Sequence, residues 1–258
     1  MDAYYINLDK AQQRRQSIEA QIEIANLNFH LKRFPAIDGK IVNLPLPLGL
    51  TTGQWGCWLS HLCVQQLSLD TQEHLLVIED DSYFDESLNL ILNIDINSNW
   101  DIIYLDATIV EIEDYLFLSR IIKNIRIDDI NYYCQKIPSN LTCYGTIGYI
   151  INKESKHKIF NLLFNQANKG LPIDNILCNG IHTNQLQAYF LLPTLLTPSI
   201  NSFDNNSVSG EHPLSKDWIK FRSVISRHNK DFDLQIVLKE VINNRLDFSA
   251  FKQFTPFR

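Results

Sequence analysis

The chain has 258 residues, 45% of them hydrophobic and 20% charged, the balance of an ordinary globular protein long enough to bury a sizeable core. Its formal net charge of −6 excludes a protein that binds nucleic acid over its whole surface. No apolar run approaches the roughly 18 residues of a membrane-spanning helix.

The charge is unevenly spread. Lys216 to Arg258 carries nine Lys/Arg against five Asp/Glu, or +4, which leaves −10 for residues 1–215. An acidic body and a mildly basic tail are fitted to different partners. The N-terminus has neither a basic start nor a long apolar stretch, so no ordinary signal peptide is expected. The five cysteines (Cys57, Cys63, Cys134, Cys143 and Cys178) are odd in number and lack paired CxxC spacing. They read as reduced, mostly buried thiols of a cytoplasmic protein.

In chain order, AYYINL (3–8) is a β-type run, followed by a helix with Ile18, Ile22 and Ala25 at i, i+4 and i+7. A second short strand around Phe29–Arg33 leads into FPAIDGK, whose Asp-Gly marks a turn. NLPLPLGL is extended, because two prolines sit two residues apart. Thr51 or Thr52 then caps a helix running to about Leu69, with Trp55, Trp58, Leu59, Leu62 and Leu67 as its apolar stripe. The narrower stripe Gln54, Cys57, His61, Val64 leaves room for something else to approach. A strand at 74–79 follows, then a helix from about Asp85 and a strand in WDIIYLD (100–106). Residues 107–140 read as a hairpin or as an excursion over a site. LTCYGTIGYIIN (141–152) is strand-like. A helix from about Glu154 to Asn168 buries Ile159, Leu162, Leu163 and Phe164, and KGLPIDNIL opens another with Pro172 in its first turn. AYFLLPTLLTP is a last strand or extended segment, SINSFDNNSVSGEHP a polar loop, and the tail returns to helix. Strands alternating with helices predict an α/β fold, a largely parallel sheet covered on both faces.

One boundary stands out. The apolar run Leu75–Ile78 ends in three acids, Glu79, Asp80 and Asp81. Ligands of open α/β sheets bind outside the carboxyl ends of the strands. In extended backbone residues 79 and 81 share a side and Asp80 points to the other. An acid-x-acid pair there can hold a divalent cation and leave positions for phosphate oxygens, and oxygen ligands suit Mg²⁺ or Mn²⁺. A metal bridging a diphosphate helps a nucleoside diphosphate to leave. The alternative is an acidic loop facing solvent.

The ordered fragments YYINLDKAQQRR, FPAIDGK, GQWGCWLSH, LLVIEDD, WDIIYLD, YGTIGYIINKES and LPIDN resemble glycosyltransferase family 25 over roughly residues 3–200. That family includes lipooligosaccharide galactosyltransferases and collagen galactosyltransferases. The resemblance implies a GT-A-like, Rossmann-type mostly parallel sheet over residues 1–200; residues 201–258 read from their own composition as a mobile loop and C-terminal helical extension. It also implies a UDP-sugar donor, usually UDP-galactose, transfer with inversion, and a glycan acceptor that is lipid-linked. Two departures stand beside it: Gly53-Gln54 replaces the Gly-Glu of many members, and the match fades after Pro198.

The resemblance assigns Glu79-Asp80-Asp81 to the metal motif. Asp81 is the expected direct ligand and Glu79 reaches the metal through water or contacts the ribose. Asp80 is the alternative second ligand or a helix-capping acid. Arg15, a better match than Arg14, is expected on the diphosphate, and Asn7 on the uracil or ribose. Ser60 and His61 line the site, with a satisfied core histidine as the alternative for His61. Asp174 in LPIDN is the candidate general base, against a helix-start acid, with Asp106 as a further candidate. His212 is a candidate third metal ligand. The basic tail segment KDWIKFRSVISRHNK either packs on the domain or lies on the inner face of the cytoplasmic membrane.

The expected activity is metal-dependent, inverting transfer of galactose from UDP-galactose to a sugar hydroxyl of lipooligosaccharide or a related surface glycan. The alternatives are another donor such as UDP-glucose, or a non-catalytic nucleotide-sugar-binding protein. A sugar nucleotidyltransferase would need a glycine-rich phosphate loop, and YYINLDKAQQRR has no glycine.

Overall fold

The structure is a computed structural model that describes residues 1–94, 99–106, 108–109, 124–127, 130–192 and 194–198. The C-terminal extension, its basic helix and His212 lie outside the described residues. Three parallel strands form the half of the sheet that matters for the site. β1 (Asp2–Asn7) runs between β2 (Leu31–Pro35) and β3 (Leu75–Glu79), with Tyr5 beside Arg33 on one side and Ile78 on the other. The predicted alternation of strand and helix supplies the crossovers. α1 (Gln12–Ala25) links β1 to β2 and stops at Asn26, whose left-handed φ of 44° breaks the helix. α2 (Thr52–Ser68) precedes β3 and opens with a capping box. The Thr51 hydroxyl accepts from the Gln54 N–H, and the Gln54 side chain accepts from the Thr51 N–H.

Beyond β3 come β5 (Ile102–Tyr104), β7 (Asn124–Ile127), β8 (Ile130–Lys136), β10 (Gly148–Ile151) and β11 (Ala188–Leu192), giving the order β2-β1-β3-β10-β5-β11-β8-β7. β10 and β8 run against the other six, so the sheet is mixed but mostly parallel. β7 and β8 pair as the hairpin expected within 107–140. Two short ladders, β4 (Ser82–Tyr83) with β12 (Thr197–Pro198) and β6 (Thr108–Ile109) with β9 (Cys143–Tyr144), complete the strands.

Both faces of the sheet are covered, as expected. Leu75 and Val77 face α2, α3 (Lys156–Gln166) and α4 (Ile173–His182), in a core with Trp58, Ile159, Leu163 and Ile176. Leu76 and Ile78 face the other way, onto Ile18 and Ala25 of α1 and onto Leu88 and Ile91. At about 25 cal/mol per Å² of apolar surface removed from water, these two layers are the main favourable term in folding.

The helix expected from about Asp85 is a 3₁₀ helix over Glu86–Asn93, begun by Asp85 Oδ1, which accepts from the Ser87 N–H at 2.9 Å. Three local expectations are corrected. The strand-like stretch 141–152 splits into β9 and β10 around Gly145, whose φ of 112° interrupts it. Leu67 is 58% exposed and Phe164 60% exposed, although both were expected inward. Phe164 stacks instead on Phe160, one turn back on the solvent side of α3, with ring centroids 5.9 Å apart.

A glycine contact fixes the approach of the 36–40 segment to α2. A Cβ on Gly56 would lie 2.4 Å from the Ile37 carbonyl oxygen and 2.7 Å from the Gly39 nitrogen, and one on Gly39 would lie 1.9 Å from the Thr52 carbonyl oxygen. The atoms met are backbone and cannot swing aside. Ser60 reinforces the joint, donating to the Gly56 carbonyl at 2.6 Å and accepting from the Ile37 N–H at 2.8 Å. Gly56→Ala is therefore expected to destabilise the fold by about 1–3 kcal/mol, lowering the melting temperature by roughly 3–10 °C in a thermal scan. An unchanged melting temperature would show that the two segments are free to separate.

Candidate active site

The carboxyl ends of β1, β2 and β3 open into a cavity of about 640 Å³, a volume suited to a small-molecule substrate. Its walls are the start of α1 up to Arg14, the segment Ala36–Lys40 after β2, the face of α2 that carries Gly53, Cys57 and His61, and the three acids.

Strand geometry ends at Glu79. A turn closed by the Ser82 hydroxyl, which donates to the Glu79 carbonyl at 2.8 Å, then brings Asp80 and Asp81 to the same cavity as Glu79. The alternation expected for extended backbone thus gives way to convergence of all three. They differ in partners. Asp80 is braced on one flank, where Oδ2 accepts from Asn7 Nδ2 at 2.6 Å and Oδ1 from Arg14 Nη1 at 3.1 Å. Glu79 is braced on the other: Oε1 accepts from the Thr146 hydroxyl at 2.6 Å and meets His61 Nε2 at 3.2 Å. Asp81 has the guanidinium of Arg14 at 3.8 Å from Oδ2, while its buried Oδ1 has no hydrogen-bond partner among the described residues.

The electrostatics follow these contacts. Burial pushes the Asp81 carboxyl up to about 7, and the negative charge of Glu79 adds to the shift against the pull of Arg14. Burial also raises Asp80, opposed by Asn7 and Arg14. Burial works to raise Glu79 too, but the hydrogen bond and charge of His61 with the Thr146 hydroxyl outweigh it, and the net shift is downward. A buried carboxylate oxygen left without a donor, between two further acids, fits a divalent cation with a preference for oxygen. The residues present suit such a group.

The expected site residues divide. Glu79, Asp80, Ser60 and His61 all reach the cavity, as does Asp81. Ser60 is fully buried and spends its hydroxyl on the backbone joint between α2 and Ile37, so its visible part is structural. His61 is equally buried and bridges Tyr149 Oη, 2.9 Å from Nδ1, to Glu79. Asn7 orients Asp80 and also accepts from Arg33 Nε at 3.0 Å, so its side chain is committed inside the protein. Of the two arginines it is Arg14 that lines the cavity. Successive helical residues point about 100° apart, and Arg15 turns to Glu19, with Nε 2.9 Å from Oε1. Asp174 stands in the first turn of α4, where Oδ1 accepts from the Asn175 N–H at 2.9 Å. Burial raises its carboxyl, opposed by that N–H, and the charges of Glu79 and His61 reach it. It is not among the residues of the cavity wall described. Asp106 is buried just past β5.

The family follows from residues 1–177, which match the family model for glycosyltransferase family 25, described as an LPS biosynthesis protein. The chain belongs to glycosyltransferase family 25. Among curated proteins of that kind, human procollagen galactosyltransferase 2 is 27% identical over 205 residues, 68% of this chain and 29% of the relative. Zebrafish (Danio rerio) procollagen galactosyltransferase 1 is 24% identical across 96% of this chain and 46% of its own length. The family 25 chain thus spans less than half of these relatives. Among solved structures, galactosyltransferase LgtC in complex with donor and acceptor sugar analogues aligns at a TM-score of 0.38 and 14% identity, over 74% of this chain and 73% of that one. That likeness is too distant to assign a role to any residue. No helix among the described residues of this family 25 chain is long and apolar enough to cross a membrane.

Thr146 and Tyr149, which hold Glu79 and His61, lie in the fragment YGTIGYIINKES, but no role was expected of them, because only the antiparallel placement of β10 beside β3 brings them there. Cys57 is different. It lies one helical turn before His61 and, with Glu79, offers ligand atoms all within 4.8 Å of one another. The i, i+4 spacing of Cys57 and His61 is visible in the sequence.

Proposed function

We propose that the protein is a metal-dependent, inverting galactosyltransferase that uses UDP-galactose and transfers to a sugar hydroxyl of lipooligosaccharide or a related bacterial surface glycan. The observation that carries the reading is the cavity at the ends of three parallel strands, lined by Glu79, Asp80 and Asp81, the last with a buried Oδ1 that has no hydrogen-bond partner among the described residues. Membership of family 25 supports sugar transfer. The curated relatives named above, procollagen galactosyltransferases, favour galactose. The family's description as an LPS biosynthesis protein favours the acceptor.

In this reading Asp81 would hold a divalent ion, Mn²⁺ or Mg²⁺, directly, and Glu79 would hold it through water. When bound, such an ion supplies positive charge to the diphosphate oxygens as the nucleotide departs. Asp80 keeps Arg14 at the cavity edge, where a guanidinium matches phosphate oxygens. The acceptor hydroxyl attacks the anomeric carbon opposite the diphosphate. The new glycosidic bond forms as the bond to the diphosphate oxygen breaks, and the hydroxyl proton passes to the Asp174 carboxylate. A carboxyl raised by burial is a stronger base than an exposed one, which suits that task near neutral pH.

A thermal-shift panel of UDP, GDP and CMP, each with and without Mn²⁺, tests the reading. UDP with Mn²⁺ at about a hundredfold excess over its dissociation constant is expected to stabilise by about 2.7 kcal/mol, a rise of roughly 5–10 °C. Stabilisation should require both components. If no nucleotide raises the melting temperature in a metal-dependent way, the transferase reading fails and a protein that keeps the fold without the chemistry replaces it.

A further inference from the structure

Glu79 belongs to a second constellation that the oxygen-ligand reading leaves unused. Cys57 and His61 lie one turn apart on α2, at the cavity wall, and the ligand atoms of Cys57, His61 and Glu79 lie within 4.8 Å of one another. One sulfur, one imidazole nitrogen and one carboxylate oxygen are the donor types that tetrahedral zinc takes. Mg²⁺ and Mn²⁺ prefer oxygen alone.

The orientation of His61 suits the role. Its Nε2 faces Glu79 at 3.2 Å, while Nδ1 lies 2.9 Å from the Tyr149 hydroxyl oxygen, so an N–H on Nδ1 can donate to Tyr149 and leave the Nε2 lone pair for a metal. Such an outer partner is what fixes the tautomer of a metal-binding histidine. The Thr146 hydroxyl, 2.6 Å from Glu79 Oε1, does the same for the carboxylate.

We infer that Cys57, His61 and Glu79 form a binding site for Zn²⁺ or a similarly thiophilic divalent ion, with its fourth coordination position open to the cavity. On binding, the Cys57 sulfur–hydrogen bond breaks as the sulfur–metal bond forms, and the proton leaves to solvent. Because Glu79 is shared, occupation of this site removes that residue from the oxygen-ligand set of the donor site. Thiophilic and oxygen-preferring ions therefore compete for the same corner of the protein. The binding itself does not depend on the transferase reading, since it requires neither nucleotide nor sugar.

Co²⁺ is the probe, because a cobalt–thiolate bond gives a near-ultraviolet charge-transfer absorption that oxygen and nitrogen ligands do not. Titration of the full chain without nucleotide is expected to develop this band to saturation at one equivalent. Stoichiometric Zn²⁺ should bleach it, and Mg²⁺ at the same concentration should not. Cys57→Ser should lose the band and Cys63→Ser should keep it. Glu79→Gln should retain a thiolate band while the Co²⁺ affinity falls at least about tenfold, the least that losing even an outer partner of a ligand costs. A thermal scan of each variant confirms that it is folded. The inference is overturned by a wild-type protein without the band, by a band that survives Cys57→Ser, or by undiminished affinity in Glu79→Gln. Failure of UDP to bind in the thermal-shift panel leaves this result untouched, so the two readings fail separately.

Discussion

Asp81→Asn is expected to lower turnover of UDP-galactose on the order of 10³-fold, the loss of several kcal/mol of charge stabilisation supplied by a bound ion. The same substitution should stabilise the metal-free protein at alkaline pH, because the two effects have one source. Asp81 is a carboxyl with a folded-state pKa of about 7 against an ordinary 3.8. Between those values the folded chain holds a proton that the unfolded chain has released, so this group makes stability fall as pH rises from about 4 to about 7. Above that window the buried charge costs roughly 2–4 kcal/mol in the absence of metal. Asparagine carries no charge, so the variant should melt higher than wild type at pH 8 and close to it at pH 4. Thermal scans of both proteins in chelator at the two pH values check the stability half, and steady-state rates with Mn²⁺ check the other. Near-normal turnover in the variant would place the ion elsewhere.

Asp174→Asn should act on a different step. Loss of a general base costs about 10²–10⁴-fold in rate, while binding of UDP with metal should stay near wild type, because Asp174 stands apart from the cavity wall. The pH profile gives a second readout. The base works only when ionised, so the wild-type rate should decline on the acid side as pH drops through a pKa raised by burial, and that limb should vanish in the variant. Loss of UDP affinity in Asp174→Asn would refute the assignment and make the residue part of the donor site.

Much of the site's location was legible because a break in hydrophobic pattern is a statement about solvent. Leu75–Ile78 are fully buried, and three acids cannot follow such a run unless the chain emerges at a polar cavity or the surface. What the pattern could not supply was direction. A strand buried on both faces, such as Gly148–Ile151, reads the same whether it runs with or against its neighbours, so the antiparallel entry of Thr146 and Tyr149 beside Glu79 was invisible. The sequence reading preferred Arg15, whereas Arg14 lines the cavity, for a similar reason. A family motif locates an arginine to within a residue, but a helix turns neighbouring side chains far apart, and only the axis of α1 decides which meets Asp80. Leu67 and Phe164 mark the opposite error. Apolar type was taken as a sign of the buried face, but in the last turn of α2 it is Val64, Gln65 and Ser68 that are buried while Leu67 turns outward, and on α3 Ile159 and Leu163 are buried while Phe164 turns outward.

The joint between Gly39 and Gly56 also shapes how a ligand can enter. With backbone against backbone and the Ser60 hydroxyl spanning the seam, the wall formed by residues 36–40 cannot swing outward without carrying the whole of α2 along. An arriving molecule meets a fixed anvil on that side. Any yielding must come from long side chains on the α1 wall, such as Gln13 and Lys10, the latter ion-paired with Asp38 of the 36–40 segment, and the selectivity of the opening is then written in their reach and charge rather than in the movement of a flap.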